Sequence, residues 1–253
     1  MTITLEQIKS LRDKTGVSAT ACKKALTEAG GNEEQALELL RKKGAAKAAE
    51  RADRATAHGV VSVAKEGSKV AILALGCETD FVAKNDDFIA HVDRLAGLVL
   101  AGGEATDLSS EIADLNIQMG EKIEVKGQRV LESATVGTYI HLNKKIGVAI
   151  AIDGSDEETA NDICMHIAAM SPAVVSPTEI SDELVAKEKE IWTEQLKAEG
   201  KPENIMDNIL AGKEKKFREE SALLSQPFVK NPEQKIEDLL SGANVLEFVR
   251  FSV

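Results

Sequence analysis

The sequence predicts an α+β protein: an N-terminal three-helix bundle, two related α+β subdomains with antiparallel sheets, and a protruding antiparallel helical hairpin. Three observations carry this. Before residue 44, apolar residues recur at helical spacing in three short capped segments. From residue 59 the period changes to that of strands, and a hairpin followed by a helix occurs twice. Residues 181–224 then hold two amphipathic helical stretches parted by Gly200-Lys201-Pro202. The boundaries read from these shifts are 1–44 for the bundle, 45–57 for a helical linker and 58–135 for the first core subdomain. Residues 136–180 with 225–253 form the second subdomain, and 181–224 are a coiled-coil hairpin inserted in it.

In the bundle, Thr4-Leu5-Glu6-Gln7 is a capping-box pattern, and Leu5, Ile8 and Leu11 line one face until Gly16. Ser18 can cap a second helix through Cys22, Ala25 and Leu26 that ends at Gly30-Gly31. Asn32 then opens a third, with Leu37, Leu39 and Leu40 on its face and Gly44 as its stop. The following stretch is Ala-rich and charged with no wide apolar stripe, which reads as an exposed connecting helix. Strand-like runs at 59–63 and 69–75 flank Glu66-Gly67-Ser68, and residues 88–100 read as an amphipathic helix. A helix near 108–119 and a strand near 123–130 follow. The order returns with strands at 136–141 and 146–152 about Asn143-Lys144-Lys145, then a helix started by Asp156 or Glu157 that runs through Met170. In the hairpin Leu184, Ile191 and Leu196 fall near coiled-coil spacing, and Ile205, Met206, Ile209, Leu210 and Phe217 return on the second arm. Gln226 to Val229 re-enter the core, a helix is expected over 234–240, and 245–253 alternate as a last strand.

Composition excludes several functions. With 31 Lys+Arg against 42 Asp+Glu, the net charge is −11, which is unsuited to general nucleic-acid binding. One local exception runs from Arg41 to Arg54, where six Lys/Arg meet Glu50 and Asp53 and could face phosphate or an acidic partner. No stretch approaches the roughly 18–20 apolar residues of a membrane span, and the N-terminus has no apolar targeting region, so a soluble cytoplasmic protein is expected. Cys22, Cys77 and Cys164 are odd in number and far apart, as for buried thiols in a reducing compartment. Neither a phosphate-binding glycine loop nor a metal-ligand spacing is present. His58, His91, His141 and His166 fall on different elements. No catalytic residue, metal or cofactor is expected, and a hydrolase using a lone cysteine is the weakest alternative.

What stands out is Cys77-Glu78-Thr79-Asp80-Phe81-Val82-Ala83-Lys84-Asn85, a polar loop carrying an aromatic in a chain that is only 3% aromatic. Phe81 and Val82 could simply begin the next helix and pack inward. Alternatively, Phe81 is an exposed knob, held by caps from Thr79 and Asp80, that enters a partner's pocket.

This loop resembles the second signature of the translation elongation factor Ts family, and Leu11 to Gly16 followed by Cys22 to Leu26 is similar to the first. Cys164 to Ala169 with Pro172, Gln226 to Val229, and Phe248 to Phe251 match further family motifs in order along the whole chain. The resemblance implies a ubiquitin-associated-like N-terminal bundle and a non-enzymatic guanine-nucleotide exchange factor for elongation factor Tu, acting in translation elongation. It would bind the GDP-bound and nucleotide-free GTPase and loosen GDP by perturbing the partner's magnesium and phosphate site. The exchange loop implied is Thr79, Asp80, Phe81, Val82, Lys84 and Asn85. The N-terminal contact would come from Arg12, Val17, Ala19, Thr20 and Lys23, and a third contact from His141, Ile146, Gly147 and His166. Neither nucleic acid nor membrane is an expected partner, while a homodimer through the coiled coil stays open. So does a rival reading as a non-exchanging adaptor, which would have no use for the Thr79-Asp80-Phe81 loop.

The chain departs from the family pattern at a few positions. Ala19 and Thr20 stand where the family carries bulky apolar residues, Ala21 replaces an acid, and Gly76 replaces a polar residue. Apolar docking of the bundle is therefore expected to be weaker, with Val17 compensating. Many members of the family continue past the last strand with an extra helical module that touches the partner, and with the sequence ending at Val253 the expectation is that this contact is absent or that the sequence is shortened.

Overall fold

A computed structural model describes residues 3–253, apart from the side chain of Lys47. It is a mixed fold of helices and antiparallel sheets. Helices α1 (Leu5–Thr15), α2 (Ala19–Glu28) and α3 (Glu33–Glu50) form the N-terminal bundle. Thr4, Ser18 and Asn32 each accept a backbone N–H at the start of these helices, satisfying donors that have no partner within the helix. Leu11, Cys22, Leu26, Ala36 and Leu40 close the bundle core.

The third helix does not stop at Gly44. It continues to Glu50, so the expected linker helix is the last part of α3, followed by a turn and an extended stretch into the first sheet. The glycine serves packing. A Cβ at position 44 would overlap Ile117 Cγ1, on helix α6 (Ser109–Met119), and its absence lets the two helices approach. Four of the six cations of the basic stretch face carboxylates of the protein itself, and the Lys47 side chain lies outside the described residues. Arg41 faces Asp114 at 4.0 Å, Lys42 pairs with Glu38, Lys43 with Glu28 and Arg54 with Glu78.

The core has four layers. Strands β1 (His58–Glu66), β2 (Lys69–Cys77) and β3 (Glu124–Glu132) form one antiparallel sheet in the order β1-β2-β3. Strands β4 (Thr135–Ile140), β5 (Ile146–Asp153) and β8 (Asn244–Ser252) form the second, in the order β4-β5-β8. On β2, Ala71, Leu73 and Leu75 meet Phe88, Val92, Leu95 and Val99 of helix α5 (Asp86–Gly102). The alternate residues Val70, Ile72 and Ala74 meet Val61 and, across the gap, Ala149 and Ala151 of β5. The other face of β5, with Val148, Ile150 and Ile152, packs on Ile163, Cys164 and Ile167 of helix α7 (Glu157–Met170). Each middle strand is covered on both faces, which is why both read as nearly unbroken apolar runs.

The hairpin comprises α8 (Asp182–Ala198) and α9 (Glu203–Ser221). Its seam keeps Leu196, Met206 and Phe217 of the expected one, but uses Val185 and Trp192 in place of Leu184 and Ile191. Val185, Leu196 and Met206 are buried, and Trp192 meets Phe217 edge-on with centroids 5.7 Å apart. Leu184 and Ile191 are 42% and 49% exposed. Arg218 ties the base by donating to Ile180 O, Asp182 and Glu214. Beyond it, β6 (Pro227–Phe228) pairs with β7 (Asn231–Lys235), which shortens the expected helix to α10 (Ile236–Leu240). No helix among the described residues is long and apolar enough to cross a membrane.

Candidate functional site

Strand β2 ends in the core at Cys77, and the chain then makes one turn of helix, α4 (Asp80–Ala83), before α5 begins. A single turn cannot hold itself, because nucleating a helix fixes several residues for one hydrogen bond. Here Thr79 caps the start, and at the other end the Lys84 amide donates to Asp80 O at 3.1 Å. Thr79 Oγ1 accepts from Val82 N at 3.4 Å, and Asn85 Oδ1 accepts from Asp87 N at 2.8 Å and Phe88 N at 3.2 Å to start α5. Thr79 is itself held from outside, since its amide and hydroxyl donate to the two carboxylate oxygens of Glu121 at 3.0 and 2.6 Å. Next to it, Glu78 accepts from Lys122 N at 2.7 Å and Arg54 Nη1 at 2.8 Å, and the Arg54 bond holds its carboxyl below the usual range.

The two inward and outward readings of the loop apply to neighbouring residues. Val82 packs against the first core while Phe81 is 83% exposed. Asp80 adds no backbone cap through its side chain. Its carboxylate accepts from Lys84 Nζ at 2.7 Å, one turn along, and that ammonium holds its carboxyl low. Burial and the nearby Glu121 charge push the Cys77 thiol up to about 11, which leaves it a poor nucleophile. The result is a fixed aromatic projection flanked by an acid and a base.

In the bundle, Arg12, Ala19, Thr20 and Lys23 are exposed. Val17 is not available to compensate for the small residues there. After Gly16, left-handed at φ 65, the chain turns inward, Val17 O accepts from the Cys22 thiol at 3.5 Å, and its side chain joins the bundle core. A cleft of about 590 Å³ opens beside it, lined by Thr20, Lys24, Lys43, Gly44 and Ile117 among others, between the bundle and α6.

In the second subdomain, His141 lies at the β4–β5 hairpin, its N–H bonded to Ile146 O at 2.9 Å and its Nδ1 3.1 Å from Tyr139 Oη. Ile146 is half-buried. Two of the four residues named for this surface are inside the fold. Gly147 is buried where the sheets meet, because a Cβ there would overlap Val61 Cγ1. His166 is fully buried. Its Nδ1 accepts from Val229 N at 3.2 Å, which leaves Nε2 to donate to Gln226 Oε1 at 2.9 Å, and Gln226 Nε2 donates to Glu220 O at 2.6 Å. It therefore acts on the second core and cannot touch a partner. Burial lowers its pKa and favours the neutral ring.

Leu142, at the tip of the same hairpin, is 97% exposed, and sequence patterning passed over it along with Glu121. The only signal for Leu142 is an apolar residue between His141 and Asn143 in a turn. For Glu121 there is none, since its partner is 42 residues away. Among the described residues no group of three or more His, Cys, Asp or Glu side chains could hold a metal ion.

Comparison with known proteins gives a consistent result. The family model described as elongation factor TS matches residues 78–253. The chain is 41% identical to elongation factor Ts of Idiomarina loihiensis over 268 residues, covering 100% of this chain and 91% of that protein. It is 42% identical to elongation factor Ts of Thioalkalivibrio sulfidiphilus over 273 residues, covering 100% and 92%. Against elongation factor Ts of Stutzerimonas stutzeri the identity is 41% over 263 residues, covering 99% and 91%.

Proposed function

The chain belongs to the elongation factor Ts family, and from that premise we propose that it is a guanine-nucleotide exchange factor for elongation factor Tu. The observation that supports this reading is the Phe81 side chain, carried into solvent on a helical turn that Thr79 caps at its start and the Lys84 backbone closes at its end. A large apolar group kept out of its own core, on a rigid support, is suited to entering a pocket of another protein. Phe81 and Asp80 enter the GTPase near its magnesium and phosphate site, with Thr79, Val82, Lys84 and Asn85 shaping the loop. Mg²⁺ bridges phosphate oxygens and partner side chains, so displacing its ligands weakens GDP without any covalent step.

Arg12, Ala19, Thr20 and Lys23 on the bundle, and His141, Leu142 and Ile146 on the β4–β5 hairpin, provide two further contacts with the same partner. Binding at several places supplies the free energy spent on distorting the nucleotide site. Exchange then follows from negative coupling. If this protein lowers the GTPase's affinity for GDP by some factor, GDP lowers the GTPase's affinity for this protein by the same factor, typically about 5–150-fold.

Calorimetric titration of this protein into nucleotide-free elongation factor Tu, repeated with saturating Mg²⁺ and GDP, tests the proposal. Tight binding that weakens by tenfold or more in GDP is expected. An affinity indifferent to GDP would place the protein among adaptors that bind without exchanging.

A further inference from the structure

We propose that Glu121 is the positioning residue of the exchange loop, holding Phe81 in its projecting orientation through Thr79; this rests on the exchange reading above. Among the described residues Phe81 joins none of the core clusters, so its direction is set by the backbone of α4. That backbone has four helical residues and little order of its own. Its N-cap, Thr79, uses one lone pair of Oγ1 on Val82 N and sends its hydroxyl proton and its amide proton to Glu121. Both bonds end on a carboxylate, so they are stronger than bonds between neutral groups, and as a pair they fix the torsion of the capping side chain. Removing the carboxylate leaves Thr79 free to rotate and its cap to open.

Glu121 is well placed for this. It follows directly on Gly120, the left-handed C-cap of α6 (φ 72), and α6 is the helix against which Gly44 of the bundle rests. Its neighbour Lys122 donates its amide to Glu78 and its ammonium to Ala52 O and Arg54 O. The exchange loop is thus fastened to the junction that carries the bundle. A pre-ordered knob loses less freedom on entering its pocket than a mobile one, so the effect should fall on exchange.

The experiment measures release of a fluorescent GDP analogue from elongation factor Tu, driven by wild type, E121A, E121Q, F81A and the double variant E121A/F81A. Amide hydrogen exchange is followed in parallel. E121A is expected to slow stimulated release about fivefold to tenfold, and to speed hydrogen exchange at Thr79 and Val82 but not in β2. E121Q, which keeps one acceptor oxygen for the Thr79 amide, should recover most of the rate. In the F81A background the E121A change should have a much smaller effect, since only Asp80 is then left on the turn to be misplaced. Full activity of E121A, or equal losses with and without Phe81, would overturn the proposal. Should E121A not fold, T79V takes its place and T79S its rescue, judged by the same cycle. Full activity of F81A would overturn the role of the knob and with it the positioning of the knob. If F81A is impaired while E121A is not, only the role of Glu121 falls.

Discussion

Replacing Phe81 by alanine separates folding from function more cleanly than any other single change. The side chain is 83% exposed, so its loss removes almost no buried surface from the free protein, and stability should move by no more than about 0.5 kcal/mol. Alanine is also the better helix former in α4. If the knob enters the partner as proposed, the same side chain passes from nearly full exposure to burial, which contributes about 1.5–3 kcal/mol for an aromatic ring of this size. At about 1.4 kcal/mol per decade, stimulated GDP release should fall about tenfold to a hundredfold. Stopped-flow release of a fluorescent GDP analogue, with thermal unfolding of the same samples, reads both quantities. A variant that melts with wild type and exchanges like wild type would refute the knob, and one that melts far below it would refute the claim that Phe81 stands outside the core.

Three further outcomes follow from the packing. Gly44→Ala should destabilise by about 1–3 kcal/mol in a denaturant titration, because the new Cβ meets Ile117, whereas Gly212→Ala on α9, with open space about it, should stabilise by up to about 1 kcal/mol. His166 titrates below its ordinary 6.5 in the folded protein, so the unfolded chain takes up a proton that the folded one refuses. Stability should be flat above pH 6.5 and fall below it, and His166→Gln should lose that slope in urea midpoints compared between pH 7.5 and 5.5. Leu142→Ala, at a tip 97% exposed, should leave the melting temperature unchanged and weaken calorimetric binding to nucleotide-free elongation factor Tu severalfold.

The order of elements was legible because helix starts are local. Thr4, Ser18 and Asn32 all cap the helices their patterns announced. What patterning could not tell was which neighbour an element would meet. Gly44 reads as a helix stop until α6 lies against it, and the apolar runs of β2 and β5 show burial without showing that the two sheets face each other. The same limit explains the site. Phe81 stood out because an aromatic in a polar loop is conspicuous, and the structure exposes it. Val17, Gly147 and His166 came from the family resemblance, where a matched motif does not distinguish a residue that touches a partner from one that holds the touching residue in place. Glu121 escaped altogether, because a carboxylate among many carboxylates gains meaning only from the two protons of Thr79 aimed at it.

The central claim is that this protein accelerates nucleotide release from a GTPase and is itself regenerated. Elongation factor Tu loaded with a fluorescent GDP analogue, mixed with excess unlabelled GDP and a one-hundredth molar amount of wild-type protein, tests it most directly. The full fluorescence amplitude should be lost many times faster than without the protein, each molecule turning over many GTPases. Release at the spontaneous rate by correctly folded protein, or a loss of only one equivalent per molecule added, would contradict it.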